Sequence, residues 1–180
     1  DRAWDFLATS HGRETTVAFE QAELRRLPFE TGRFDVVGSD ALFEHCANLD
    51  GVLSELCRVV RPGGSMYATF GPIYTAFGGD HYSGDESLAR AYDHLLLSDD
   101  DYRQSLRVVR PPARVPQEDG RTWIEHGLFS FLTYDRYVEL FLRHADIRFL
   151  ELIMDPRAYE FRRQHPDKWA ALLSMGLRNS

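Results

Sequence analysis

Leu27–Phe70 reads LPFETGRFDVVGSDALFEHCANLDGVLSELCRVVRPGGSMYATF, and the fold turns on how this stretch is divided. Phe34-Asp35-Val36-Val37 is a short apolar run closed by Gly38-Ser39-Asp40, the pattern of a buried strand running into a loop. From Asp50 the period changes. Leu53, Leu56, Cys57 and Val60 fall at i, i+3, i+4 and i+7, one stripe of an amphipathic helix. Arg61-Pro62-Gly63-Gly64 is expected to stop that helix, because proline cannot continue it and glycine accepts left-handed dihedrals. Met66–Phe70 follows as a second strand. Strand, helix and strand joined by tight turns make a βαβ unit with parallel strands.

The bulk numbers suit one domain with a real core: 180 residues, 43% hydrophobic and 27% charged. No apolar run approaches membrane-spanning length, and no signal peptide is visible. The net charge is −7, and the basic residues are scattered, with Arg25-Arg26 and Arg162-Arg163 only as pairs. A protein that grips phosphates shows a basic face or segment, so a nucleic-acid partner is not expected. The two cysteines, Cys46 and Cys57, form no CxxC and no Cys/His ligand spacing. No metal site is expected from that spacing, and a reduced, cytoplasmic setting fits.

Three fragments carry a family resemblance. LPFETGRFDVV, SDALFEH and LCRVVRPGG together resemble class I S-adenosylmethionine (SAM)-dependent methyltransferases of the small-molecule, type 11-like kind. The resemblance implies an α/β fold with a Rossmann-like sheet, in which Phe34–Val37 is strand four and Met66–Phe70 is strand five. Thr15–Glu20 is then strand three, after a helix over Arg2–Thr9. The family's first strand ends in a G-x-G-x-G turn and its second in an acidic residue. Neither feature is present, Gly12 being the only glycine before Gly32. The chain is therefore expected to begin inside the domain, as a single partial methyltransferase domain over 1–180. Alone it is expected to bind SAM weakly or not at all. Residues 73–132, rich in Tyr, Gly, Asp and Pro, are expected to form a lid inserted after strand five. It would hold a helical patch near Leu88–Leu97 and exposed loops at Arg110–Pro112 and Pro116–Gly120. Beyond it come a helix capped by Thr133 with Tyr137, Val138, Phe141 and Leu142 on one face, and strand six over Ile147–Met154. Short helices follow at Tyr159–His165 and Lys168–Met175.

The resemblance also assigns residues. Glu23 and Leu24 stand where the family contacts adenine, although Glu23 beside Arg25 and Arg26 also suits a surface ion pair. Ser39 and Asp40, at the carboxyl end of strand four, would face the methionine part of SAM. Asp40 has the alternative of capping the Ala41–Glu44 turn. The Glu44-His45 pair is a family feature, and His45 would be either a structural hydrogen bonder or a contact to cofactor or acceptor. The Gly71-Pro72-Ile73-Tyr74 and Gly78-Gly79-Asp80-His81-Tyr82 segments resemble the acceptor loop of a bacterial subgroup. A hydroxyl nucleophile needs its proton removed, so His81 is the candidate general base and His94 the second. Each has a structural alternative, as a loop histidine bound to backbone or a helix residue under the lid. Tyr74 and Tyr82 would line the acceptor pocket. The expected function is methyl transfer from SAM to a small-molecule hydroxyl on a sugar, polyketide or lipid-linked acceptor. The alternative is an incomplete methyltransferase-like module that binds a partner. A dehydrogenase is a poor third, since the only lysine, Lys168, has Gln164 four residues before it.

Overall fold

The computed structural model describes residues 18–109 and 121–177. At its centre lies the unit anticipated above. Strand β1 (Phe34–Asp40) leads to helix α1 (Leu49–Val59), which leads to strand β2 (Val60–Thr69), and β1 and β2 pair in parallel. Asn48 starts α1, its side chain accepting a hydrogen bond from the Gly51 amide at 3.1 Å. That satisfies one of the donors a helix start leaves without a partner.

The end of α1 differs from expectation. Helix passes directly into strand at Val60, and Arg61–Gly64 do not form a separate turn. Phe34 pairs with Val60 but Val36 pairs with Ser65, so the intervening residues bulge within β2. Gly64 makes this possible: a Cβ there would lie 2.7 Å from the Asp35 carbonyl oxygen. The buried stripe of α1 is also rotated from the one read in sequence. Leu49, Val52, Leu53, Leu56 and Val59 are buried, whereas Cys57 and Val60 are only partly so.

Helix α5 (Tyr134–His144) packs on α1, closing a core of Phe43, Leu49, Val52, Leu53, Leu56, Tyr137 and Leu140. Val37, Met66, Ala68 and Phe70 supply the sheet side of that core. On the opposite sheet face Val36 and Tyr67 are exposed, so the described residues cover one face of the pair. Thr133 occupies the N-cap position of α5 with extended dihedrals, but its side chain makes no capping bond. Leu142 points to solvent rather than joining the helix face.

Residues 73–109 hold short helices α2 (Ser83–Glu86) and α3 (Asp93–Leu96), a 3-10 turn at Leu88–Arg90, and the longer α4 (Asp99–Val109), which the sequence reading did not anticipate. Arg110–Pro112 and Pro116–Gly120 lie outside the described residues, as do Arg2–Thr9 and Thr15–Val17. Helices α6 (Arg157–Gln164) and α7 (Pro166–Ser174) form on either side of Pro166 as expected. They pack against the post-β2 segment in a second core of Phe77, Ala91, Tyr92, Ala158, Phe161 and Leu172.

Among the described residues, neither Ala18–Glu20 nor Ile147–Met154 forms the expected strand. Ala18–Glu20 adopt no regular element and are exposed. Ile147–Met154 is extended chain without strand pairing, with Phe149 and Ile153 about four-fifths exposed. A strand exists by exchanging hydrogen bonds with a neighbour, and Ile147–Met154 pairs with neither β1 nor β2.

Leu27–Gly32 is tied to α1 through ionic contacts. Glu55 Oε1 accepts from the Leu27 amide at 2.8 Å, and Arg58 binds Glu55 while donating to the Phe29 and Leu27 carbonyls at 2.8 and 3.2 Å. The Arg58 hydrogen bonds, followed by that of the Leu27 amide, hold the Glu55 carboxyl down at about 2. A folded-state pKa below the unfolded value stabilises above the ordinary carboxylate range, and the contribution fades as pH falls toward about 2. Arg58→Met is thus expected to lower the thermal midpoint clearly at pH 6, with the difference from wild type shrinking by pH 2.5 in thermal unfolding. Asn48→Ala is expected to cost ~1 kcal/mol in chemical denaturation.

Candidate active site

The carboxyl ends of β1 and β2 lie together. Asp40 pairs with Thr69, and the chain leaves β2 at once through Phe70 and Gly71-Pro72. In open α/β sheets this edge is where ligands bind. Ser39 points its hydroxyl inward, buried and without a hydrogen-bond partner among the described residues. Asp40 Oδ1 accepts from the Thr69 hydroxyl and the Ala41 amide donates to the Thr69 carbonyl at 2.9 Å, so Asp40 locks the strand ends instead of capping the next turn. Ala41 takes a left-handed φ of 48° directly after it.

Glu23 does not end a strand. It sits in a turn bridged to Arg26, its carboxylate held by Arg25 Nε at 2.8 Å and exposed. Leu24 is partly buried and packs against the main core.

The 3-10 turn Phe43–His45 follows β1. Phe43 is buried among Phe70 and Phe141, and Glu44 is wholly buried. His45 Nδ1 donates to the Leu128 carbonyl at 2.7 Å, and the Ser130 amide donates to the Glu44 carbonyl at 2.8 Å. These two bonds bring residues 128–130 over the turn. A carbonyl oxygen only accepts, so the His45 proton is on Nδ1 and its lone pair is on Nε2.

The loop after β2 delivers His81 to the same place. The His45 and His81 ring centres are 5.0 Å apart, and Phe129 lies 5.3 Å from each. Trp123 closes a further side, 5.6 Å from His45 and 6.1 Å from His81. His81 Nε2 donates to the Pro72 carbonyl at 3.0 Å, leaving the lone pair on Nδ1. His81 holds a left-handed φ of 62°, a conformation uncommon outside glycine. Its loop is set by Gly79, where a Cβ would lie 2.3 Å from the Tyr74 carbonyl oxygen.

Beneath the loop is a buried polar network. Asp80 accepts from the Tyr82 and Ser83 amides at 3.1 and 2.9 Å, from the Ser83 hydroxyl, and from Tyr102 at 2.7 Å. Burial pushes the Asp80 carboxyl up, but attraction to His94 and the bonds from Ser83 and Tyr102 outweigh it and hold it below its ordinary value. Burial holds the His94 imidazole below its ordinary value too, against the pull of Asp80. His94 Nε2 donates to the Tyr74 carbonyl at 2.7 Å, with the rings 5.1 Å apart. Burial likewise pushes the Tyr74 hydroxyl up. Tyr82 stacks edge-on to Trp123 at 5.7 Å.

The structure thus brings His45, His81, Tyr74 and Tyr82 into one neighbourhood with His94 behind Tyr74. Glu23 and Leu24 belong to the separate 23–26 turn. Sequence reasoning missed Trp123 and Phe129, which lie in a segment without periodic signal, and the Asp80–Tyr102 pair, whose partner is on the unanticipated α4.

Residues 3–68 match the methyltransferase-domain family. Over this segment the chain is similar to class I SAM-dependent methyltransferases. Among similar proteins are two malonyl-[acyl-carrier protein] O-methyltransferases. The one from Methylococcus capsulatus is 44% identical over 46 residues, 25% of this chain and 17% of that protein. The one from Enterobacter lignolyticus is 29% identical over 69 residues, 38% of this chain and 28% of that protein. A sterol 24-C-methyltransferase from Gibberella zeae is 33% identical over 79 residues, 44% of this chain and 20% of that protein. The matched stretch thus spans less than a third of each of these relatives. No solved structure matches. Among the described residues, no helix is long and apolar enough to cross a membrane.

The family's methyl donor is SAM, and the strand ends offer groups that fit it. Ser39 has a buried hydroxyl with a free hydrogen-bonding capacity at the edge where a class I methyltransferase binds its cofactor.

Gly79→Ala is expected to displace the Tyr74–His81 loop while leaving the main core intact. Far-UV circular dichroism should be unchanged, and the Trp123 fluorescence environment should alter.

Proposed function

We propose that this protein transfers the methyl group of SAM to a hydroxyl oxygen of a small molecule, with His81 as general base. The observation that supports this reading most is the juxtaposition of His81 with the carboxyl edge of the β1–β2 pair, through its bond to the Pro72 carbonyl. SAM supplies a methyl group activated by its sulfonium. Ser39 and Asp40 hold the donor side. Glu23, in its separate turn, is the adenine contact of this reading, with the neighbouring Leu24 amide. Residues 73–132 act as the lid, and Tyr74 and Tyr82 line the acceptor side.

A hydroxyl oxygen attacking a methyl carbon must shed its proton as the O–C bond forms and the S–C bond breaks. His81 Nδ1 carries the lone pair that takes it. His94 is less suited, since it is buried behind Tyr74 and its exposed surface is small. It serves as the positioning residue for Tyr74. The acceptor classes of this reading are sugars, polyketides and lipid-linked hydroxyls. A carboxylate acceptor, by contrast, is already ionised and needs no base.

Labelled-methyl transfer from SAM to a panel of hydroxylated and carboxylated acceptors tests the proposal, alongside calorimetry with S-adenosylhomocysteine. For a hydroxyl acceptor, His81→Ala should lower turnover by roughly 10²–10⁴-fold and barely change S-adenosylhomocysteine affinity. An unchanged turnover removes His81 as base and points to an acceptor that arrives ionised. Equal losses in turnover and cofactor affinity also remove it. Absence of methyl transfer to every acceptor, with a macromolecular partner retained, favours the second reading, a partner-binding module.

A further inference from the structure

We infer that Glu44, His45 and His81 form a binding site for a first-row transition-metal dication, closed by the loop that follows β2. One donor atom from each residue lies within 4.8 Å of the other two. The three come from two segments well separated in the chain, which is why no local spacing announces them.

Glu44 carries the argument. Its side chain is 0% exposed, and neither carboxylate oxygen has a hydrogen-bond partner among the described residues. Buried carboxylates are paired, hydrogen-bonded or bound to a metal, because desolvating the charge without compensation is costly. Asp80 in the same protein shows the ordinary solution, with its oxygens taken by two amides and two hydroxyls. Glu44 has no such donors, yet it lies against two imidazoles.

The imidazoles are prepared for ligation. Each gives one N–H to a backbone carbonyl, His45 Nδ1 to Leu128 and His81 Nε2 to Pro72. That arrangement fixes the tautomer and leaves one lone pair on each ring. Metal-ligating histidines are held in this way by their outer partners. Phe129 and Trp123 flank both rings. Donor atoms around a metal at about 2.0–2.2 Å lie ~3–4 Å apart, so a small inward movement of the His81 loop completes the set. Two nitrogens and one carboxylate suit Zn²⁺, Fe²⁺, Co²⁺ or Mn²⁺, whereas Mg²⁺ and Ca²⁺ prefer oxygen donors. Three protein ligands leave positions open for an oxygen of a substrate.

This inference stands on the donor set and does not rest on methyl transfer. Where the proposed transfer also holds, the loaded site changes the role of His81. The ring would serve as a ligand, and the bound cation would supply Lewis acidity to a hydroxyl held at an open position, whose proton would pass to solvent.

The test is titration of chelator-treated full chain with Co²⁺, read by its d–d absorption, and with Zn²⁺ by calorimetry, both without SAM. One equivalent of each is expected, in competition with one another. Glu44→Gln and His81→Gln should each weaken binding at least about tenfold, with far-UV circular dichroism as the control for folding. If Glu44→Gln fails to fold, His81→Gln alone decides. Absence of stoichiometric Co²⁺ binding overturns the inference, as does binding that survives His81→Gln. Displacement of Co²⁺ by an equal concentration of Mg²⁺ overturns imidazole ligation.

Discussion

Among the described residues, the cluster of Glu44, His45 and His81 depends on how the Phe43–His45 turn is buried. Phe43 is locked among Phe70, Tyr137 and Phe141 at the meeting of β2, α1 and α5. Its carbonyl accepts from the Tyr137 hydroxyl at 3.4 Å, and that hydroxyl also meets Ser130. With the turn held at its first residue by the core, the next two side chains have little freedom. Glu44 is driven fully inside and His45 is presented to the residues 128–130 strap. Burial pushes the Tyr137 hydroxyl up to about 12, in keeping with a phenol that stays neutral and works as a donor.

The second organising feature is a division of labour between two apolar cores. The α1–α5 core holds the strand ends and the Phe43–His45 turn. The other joins Phe77 and Tyr92 to Phe161 and Leu172, tying the post-β2 segment to α6 and α7. Lys168 reinforces that contact by donating to the Ala89 carbonyl at 2.7 Å and to Asp93 at 3.2 Å. The loop bearing His81 hangs between the two cores. Its conformation is set by Gly79, by the left-handed His81 backbone and by the Asp80 network. Such a loop is placed by packing on both sides, and it carries the side chains proposed to line the acceptor side.

Elements with strong local signals were legible. The apolar run before Gly38-Ser39-Asp40, the period change at Asp50 and the proline at 166 each specify structure through nearby residues alone. The segments that differed depend on distant partners. IRFLELIM has the residues of a strand, but strand formation needs a paired neighbour, and this segment pairs with neither β1 nor β2. The α1 stripe was displaced for a related reason: periodicity says that one face is apolar, while the packing of α5 chooses which neighbouring residues of that face are covered most deeply.

From the amino-acid sequence came the βαβ unit, its strand ends and the family to which residues 3–68 point, since these follow from periodicity and from motifs contiguous in the chain. Tertiary structure alone decided that Glu44, His45 and His81 meet, that Trp123 and Phe129 enclose them, and that Glu23 stands apart. Side chains from separate loops are brought together by the packing of the elements between them, and no local spacing of residues encodes that distance.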